Sequence, residues 1–312
     1  MATSTLWKHT KDPYELFQLV LENPRIPQIE FARIFHVNRK TANIWWHNAI
    51  DYGIIIPPVF KRKSFLNFRE YFYFIRVNNP HSLYEKFKDS KDISYYSVQT
   101  GFANFQIIAK KPLSLNYEVV LSGERSDYFV SIPPNCTFEK SISLIEKKLK
   151  NLDKYERGPT PLVYHAEEYT PWDELDEVIY QKLCNDLRSS FTDIIETTGA
   201  YSDKIMDWFR TRKEFGQDIV MFFPKGESAY LLSLFCIDTE KENDSILIDI
   251  FSKLPASNVF YRIGEKLMMS IYLPFLRGEG GRFIMRKTLD ILEKKELVKS
   301  YTNSIVEYYY RP

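Results

Sequence analysis

The chain reads as an α+β protein built twice over, each half a winged helix-turn-helix head followed by a ferredoxin-like βαββαβ sandwich. Three observations lead there. Short helical stretches with a tight turn open the chain, the hydrophobic period changes from helical to alternating at Tyr71, and the whole layout recurs at one constant separation.

The first head begins with a helix over Asp12 to Glu22, where Leu16, Phe17, Leu19 and Val20 have helical spacing and Asn23-Pro24 ends it. Pro27 to Phe35 gives a second short helix, and His36-Val37-Asn38 is the turn into a third. Asn38 offers an N-cap to that helix and Gly53 its stop. Ala42, Trp46 and Ala49 fall on one side with Trp45 flanking, so the tryptophans read as core anchors. Lys40, Asn43, Ile44 and His47 face away from them. The β-rich, then basic run Ile54 to Lys63 reads as the wing, an edge hairpin that tolerates Pro57 and Pro58.

Tyr71 to Val77 reads as a strand, Pro80 to Lys88 as a helix, and Ile93 to Thr100 and Phe102 to Lys110 as a hairpin turning at Gly101. Tyr117 to Pro133 is extended, and a clear helix, Thr137 to Lys150, comes late. From Trp172 the pattern repeats. Trp45 and Trp208 stand 163 apart (208 − 45), as do Gly53 and Gly216, and Gly101 and Gly264. At that offset Leu16 meets Ile179, Phe31 meets Ile194, Ala42 meets Ile205, Trp46 meets Phe209 and Tyr52 meets Phe215. The second copy has helices over Asp173–Asn185, Phe191–Thr197 and Ser202–Arg212 and a wing near Asp218–Lys225. Its βαββαβ run ends in a helix, Gly280–Lys294, and a strand, Val298–Tyr310. The boundaries follow: head 1 over 1–68, sandwich 1 over 69–135, helix and connector over 136–171, a degenerate head 2 over 172–228, and sandwich 2 over 229–312.

Composition narrows the function classes. With 42 basic and 41 acidic residues the chain is nearly neutral, so a uniformly basic nucleic-acid coat is excluded and the distribution of charge carries the information. No apolar run approaches the roughly 20 residues a bilayer span requires, and the start MATSTLWKHTKD lacks the apolar segment of a signal peptide, so a cytoplasmic protein without membrane contact is expected. Cys136, Cys184 and Cys236 form no CxxC pair, and His9, His36, His47, His81 and His165 form no HxxxH or HExxH pattern. No Gly-rich phosphate loop or GxSxG elbow occurs. The expectation is no metal, no cofactor, no catalytic residue and no enzyme.

Charge separates the two heads. In residues 1–70, Lys8, Lys11, Arg25, Arg33, Arg39, Lys40, Lys61, Arg62, Lys63 and Arg69 outnumber six carboxylates. The second copy puts Asp203 where Lys40 stands and Asp207 where Ile44 stands, with Asp173, Glu174, Asp176 and Glu177 in its first helix. Carboxylates aimed at phosphates oppose binding, so only head 1 is expected to hold double-stranded DNA strongly. Arg39, Lys40 and the Lys61, Arg62, Lys63 wing would hold phosphates, while Asn43, Ile44 and His47 reach base edges. A plain solvated helix face is the alternative.

Over VNRKTANIWWHNAIDYGII the chain resembles the leucine-responsive/AsnC (Lrp-like) family of bacterial and archaeal transcription regulators: a small polar cap, Arg, Thr, an apolar anchor and a Gly after helix three. Thr100-Gly101-Phe102-Ala103-Asn104 is similar to the family's T-G-x-aromatic-Asp turn, with Ala103 in place of the aromatic and Asn104 in place of the acid. The resemblance implies a transcription regulator and adds Asn38 and Thr41 to the DNA-contacting set. It also implies sandwich domains that dimerise through their sheets, within one chain or between two; a homodimer is favoured because a single good head gives little reach. A small-molecule effector would sit near Thr100, Gly101 and Asn104. Siroheme decarboxylases carry the same layout in paired subunits, which makes an enzyme the second reading. A protein-interaction scaffold is the third.

Overall fold

The computed structural model describes residues 12–88, 90–155, 158–275 and 281–310. Lys8, His9 and Lys11, and Gly280 at the start of the last expected helix, lie outside them. In chain order the elements are α1 (Pro13–Glu22), α2 (Gln28–Ile34), α3 (Arg39–Asp51), β1 (Ile55–Arg62), β2 (Tyr71–Arg76), α4 (Pro80–Lys86), β3 (Ile93–Gly101), β4 (Phe105–Ala109), β5 (Glu118–Glu124), β6 (Phe129–Val130) and α5 (Phe138–Lys150). There follow α6 (Glu174–Leu183), α7 (Phe191–Thr198), α8 (Ser202–Phe215), β7 (Gly216–Phe222), β8 (Tyr230–Asp238), α9 (Asp244–Phe251), β9 (Val259–Ile263), β10 (Lys266–Pro274), α10 (Gly281–Lys294) and β11 (Ser300–Tyr310). The expected α+β architecture, heads plus ferredoxin-like sandwiches, is present. Met1–Arg62 joins Thr170–Ala229 in one compact unit, and Lys63–Tyr169 joins Tyr230–Pro312 in another, so heads and sandwiches segregate.

In the head unit Asp12 caps α1 by accepting from the Tyr14 amide at 3.0 Å, and Asn38 caps α3 by accepting from the Thr41 amide at 2.8 Å. α3 buries Ala42, Trp45, Trp46 and Ala49, with Trp46 stacked on Phe31 and Trp45 edge-on to Phe35. The tryptophans are core, as their spacing requires.

The expected wings are corrected. β1 does not fold back on itself; it pairs antiparallel with β7, from Ile55 opposite Phe222 to Arg62 opposite Gly216. Pro57 and Pro58, which cannot donate to a ladder, sit where the register shifts between Ile56 and Val59. The cause is apolar burial. Phe60 sits fully buried against Trp208 and Tyr180 of the second head, and Phe222 stacks on Phe17 of the first at 5.1 Å. A free hairpin would leave both rings in water, at a cost of about 2 kcal/mol each. Gly216 permits the crossing, because a Cβ there would stand 2.3 Å from the Phe60 ring and 2.5 Å from the Lys61 carbonyl.

Two arginines related by the repeat (188 − 25 = 163) lock the heads reciprocally. Arg188 donates to the carbonyls of Pro24 at 2.8 Å and Ile26 at 2.9 Å and lies over Trp46; Arg25 donates to the Leu187 carbonyl and lies over Phe209. Burial, reinforced by the Arg25 charge, pushes the Arg188 guanidinium down to about 10.

In the sandwich unit one sheet runs β5-β2-β4-β3-β11-β8-β10-β9-β6. Each copy contributes its four main strands in the same ferredoxin-like order, and β3 of the first pairs antiparallel with β11 of the second, so the sheets join within one chain. The sheet curls until Arg125, just past β5, bridges Ile263 of β9. Its inner face is filled from both copies by Phe72, Phe74, Leu234, Tyr261, Met268 and Val306.

The helices break the symmetry. α9 and α10 cover the outer face of copy 2, and α5, which belongs by position to copy 1, packs beside them through Phe138 and Ile145. Copy 1 keeps α4 and passes from β4 to β5 through residues 110–117 without a helix. Its outer core is closed instead by Leu113 and Leu115, with the Tyr73 hydroxyl accepting from the Leu113 amide at 2.8 Å.

Candidate functional site

The α3 face that sequence reasoning singled out is on the surface. Asn38, Arg39, Lys40, Ile44 and His47 are exposed, and Thr41 and Asn43 half-buried, with Asn38 and Thr41 engaged with each other as the cap. No carboxylate stands in its first turn. Arg62 departs from expectation. Its side chain is buried, ion-paired to Glu177 at 2.5 Å and stacked over Trp172, and this burial lowers its guanidinium from the usual range despite Glu177. It is not a surface phosphate contact. Lys61 and Lys63 are half-buried, Lys61 in register with Gln217.

The equivalent face of α8 is neutralised. Asp203, Met206 and Asp207 are exposed, Arg210 pairs with Asp207, Arg212 with Asp218, and Lys204 with Asp173 and Asp176. The Lys204 ammonium holds the Asp173 carboxyl below its ordinary value.

Thr100, Gly101 and Asn104 have structural work. The Thr100 hydroxyl donates to Glu307 on β11. Gly101 has φ 149°, and a Cβ there would stand 2.2 Å from the Asn303 carbonyl oxygen. The Asn104 amide group closes both ways on the Val77 backbone, accepting at 2.9 Å and donating at 2.8 Å, a pairing the acid it replaces could make only by half. Gly101 and Asn104 nevertheless border a polar cleft of about 490 Å³ with Arg76, Asn78 and Glu118. It continues into one of about 610 Å³ reaching Ser82 and Lys86 of α4 and Asn116. Sequence reasoning missed these neighbours, because they come from three separated segments that no local pattern links.

The described histidines do not converge. His36 takes φ 53° in the turn before α3, and His81 stacks on and hydrogen-bonds Tyr308. His165 sits between Asp127 at 2.9 Å and Glu168 at 2.7 Å. Among the buried arginines, Arg125 is taken by Glu70 and by the Tyr128 ring. Arg262 is taken by Asp244 and the carbonyls of Thr239 and Glu265. Among the described residues no group of three His, Cys, Asp or Glu side chains could hold a metal ion, and no helix is long and apolar enough to cross a membrane.

No protein-family model and no curated protein matches the chain. Two solved structures do. The siroheme decarboxylase NirDL in complex with an iron-uroporphyrin III analogue superposes with a TM-score of 0.52 at 9% identity, covering 96% of this chain and 92% of that one. A second structure of siroheme decarboxylase NirDL gives a TM-score of 0.52 at 10% identity with the same coverage. The fold is therefore shared across both units. The expectation that the chain is not an enzyme, drawn from absent motifs, is corrected: the architecture it matches nearly end to end is an enzyme's.

Proposed function

We propose that the chain is an enzyme built on the siroheme-decarboxylase architecture and acting on a carboxylate-bearing substrate in its sandwich unit. The observation behind this reading is coverage: 96% of the chain has a counterpart in the decarboxylase, so the likeness extends to the whole tandem arrangement and not to one head alone. Fold does not carry substrate, and the side chains bear on that separately. An iron tetrapyrrole needs an axial ligand and several cations for its carboxylates. His81 and His165 are engaged elsewhere, and Arg125 and Arg262 are held by Glu70 and Asp244, so these four are not gathered into a site for such a group. The substrate in this reading is a carboxylate other than an iron tetrapyrrole. The test incubates purified protein with a panel of small mono-, di- and tricarboxylates and detects released CO2, with siroheme and an iron-uroporphyrin III analogue followed by absorbance in parallel. Turnover of a panel member with no spectral shift of the tetrapyrroles is expected. A shifted tetrapyrrole spectrum would overturn the substrate class, and no CO2 from any compound would overturn the reading.

A second reading, DNA binding and transcription regulation through head 1, draws on the exposed Arg39, Lys40, Asn43, Ile44 and His47 face of α3. With Arg62 withdrawn, few phosphate contacts remain. Two of them give a log–log salt slope of about −2. Anisotropy with a random duplex, comparing wild type with Arg39→Ala/Lys40→Ala, tests it; salt-insensitive or unaltered binding rules it out.

A further inference from the structure

We infer that the cleft between α4 and the start of β5 is a binding site for a small oxyanion-bearing molecule, opened by the loss of a helix from copy 1. The inference rests on the geometry of the cleft and stands whether or not the chain is an enzyme.

The two copies supply the comparison. In copy 2 the chain leaves β10, forms α10 and enters β11, and α10 buries Met285, Leu289 and Leu292 on the sheet's outer face. It lies so close that a Cβ at Gly281 would stand 3.1 Å from Leu273. In copy 1 residues 110–117 take the place of that helix, and α5 lies on the other copy's helices. The sheet beside α4 is left partly uncovered, with Val119 42% exposed although it pairs with the fully buried Ile75. The cleft of about 610 Å³ lies there, within the size range of small-molecule sites.

A slot vacated by a helix and meant only to be closed would be apolar. This one is lined chiefly by polar side chains, among them Arg76, Asn78, Ser82, Lys86, Asn116 and Glu118, with Val77, Leu83 and Tyr117 the apolar minority. Asn78, Lys86 and Asn116 have no ion-pair or side-chain hydrogen-bond partner among the described residues. Arg76 donates to the Phe102 carbonyl at 3.1 Å and meets Glu118 at 3.3 Å, which fixes its guanidinium at the cleft edge. The lining offers two cations against one carboxylate, with carboxamides and a hydroxyl around them. That set suits a carboxylate or phosphate held by Lys86 and Arg76, with further polar groups reaching Asn78 and Asn116. Bulk apolar ligands and an apolar helix are disfavoured by the same lining.

Isothermal titration of the full-length protein with citrate, succinate and inorganic phosphate reads the site directly, and separates carboxylate from phosphate as the source of the anion. Saturable binding of at least one probe is expected. Lys86→Ala should weaken it at least tenfold, and Glu118→Gln should tighten it severalfold by removing the opposing charge. Lys111→Ala, whose lysine pairs with Asp92 and does not line the cleft, should leave it unchanged. Lys86 is exposed, so the variant should melt with the wild type, which a thermal scan confirms. No saturable heat with any probe overturns the inference, as does an equal loss in the Lys86 and Lys111 variants, which would mean diffuse surface attraction. Failure to bind while CO2 is still released from a substrate would place the enzyme's site elsewhere, leaving the two conclusions separable.

Discussion

Replacing Asp244 by Asn tests whether Arg262 is a structural cation or one free to meet a ligand. Both side chains are fully buried, and the guanidinium donates to the two carboxylate oxygens at 2.7 and 2.8 Å, to the Glu265 carbonyl at 2.8 Å and to the Thr239 carbonyl at 3.0 Å. The carboxylate also accepts from the Thr160 hydroxyl at 2.7 Å. Asparagine keeps the shape, removes the charge and turns one acceptor into a donor facing the guanidinium. Breaking a buried pair in this way costs about 3–5 kcal/mol, because the remaining ion stays dry and uncompensated. With a urea m-value of about 2–3 kcal/mol/M, the unfolding midpoint should fall by roughly 1.5 M. Asp244→Leu with Arg262→Met removes both charges and should lose less, about 1–2 kcal/mol, since the carbonyls of Thr239 and Glu265 are then left without their donor. Urea titrations followed by far-UV circular dichroism on all three proteins give the comparison. A single Asn variant within about 0.3 M of wild type would refute the structural assignment and return Arg262 to the pool of ligand-binding cations.

Three further outcomes are expected. Arg188→Ala leaves the carbonyls of Pro24 and Ile26 without their donor and Trp46 without its cation, so unfolding of the head unit should come earlier by about 3–4 kcal/mol, and Arg188→Lys, lacking the planar fork, should recover only part. Gly101→Ala forces a Cβ to 2.2 Å from the Asn303 carbonyl oxygen at φ 149°, so a loss above about 3 kcal/mol is expected and a near-wild-type urea midpoint would contradict the β3–β11 seam. All three cysteines are half-buried, but burial of its sulfur pushes the Cys236 thiol up to about 11, Lys266 opposing, so at pH 8 it should react with an aromatic disulfide far more slowly in the folded protein than in denaturant. Its value is raised on folding and the neutral form is the favoured one. The associated stability is therefore complete below the ordinary thiol range and is lost as pH climbs toward 11.

Several parts of this arrangement are legible in the sequence. The repeat at Trp45 and Trp208 and at Gly101 and Gly264 is a one-dimensional pattern, and so are the helical periods that send Ala42, Trp45 and Trp46 inward. Asn38 as a cap needs only the residues beside it. The wing could not be read the same way. Alone, Ile54 to Lys63 is an edge strand with a basic end, and the information that it is paired lies in Gly216 to Phe222, far along the chain. Arg62 shows the consequence. A sequence displays its charge but not Glu177 and Trp172, which turn a would-be phosphate contact into a buried ion pair. Helix α5 is similar: its amphipathic period was evident, while the helices that receive it, α9 and α10, belong to the other copy.

The sequence by itself determined what local chemistry can determine: two copies, their helices, caps and strands, and which faces are apolar. Only the tertiary structure decided how those faces are satisfied. It paired head with head through β1 and β7, spent Arg62, Arg125 and Arg262 on carboxylates, and left a polar cleft where copy 1 lacks its second helix. The physical reason is that periodicity and capping act over a few residues. The burial of a ring or the pairing of a buried charge depends on whatever the folded chain brings within a few ångströms, at any distance in sequence.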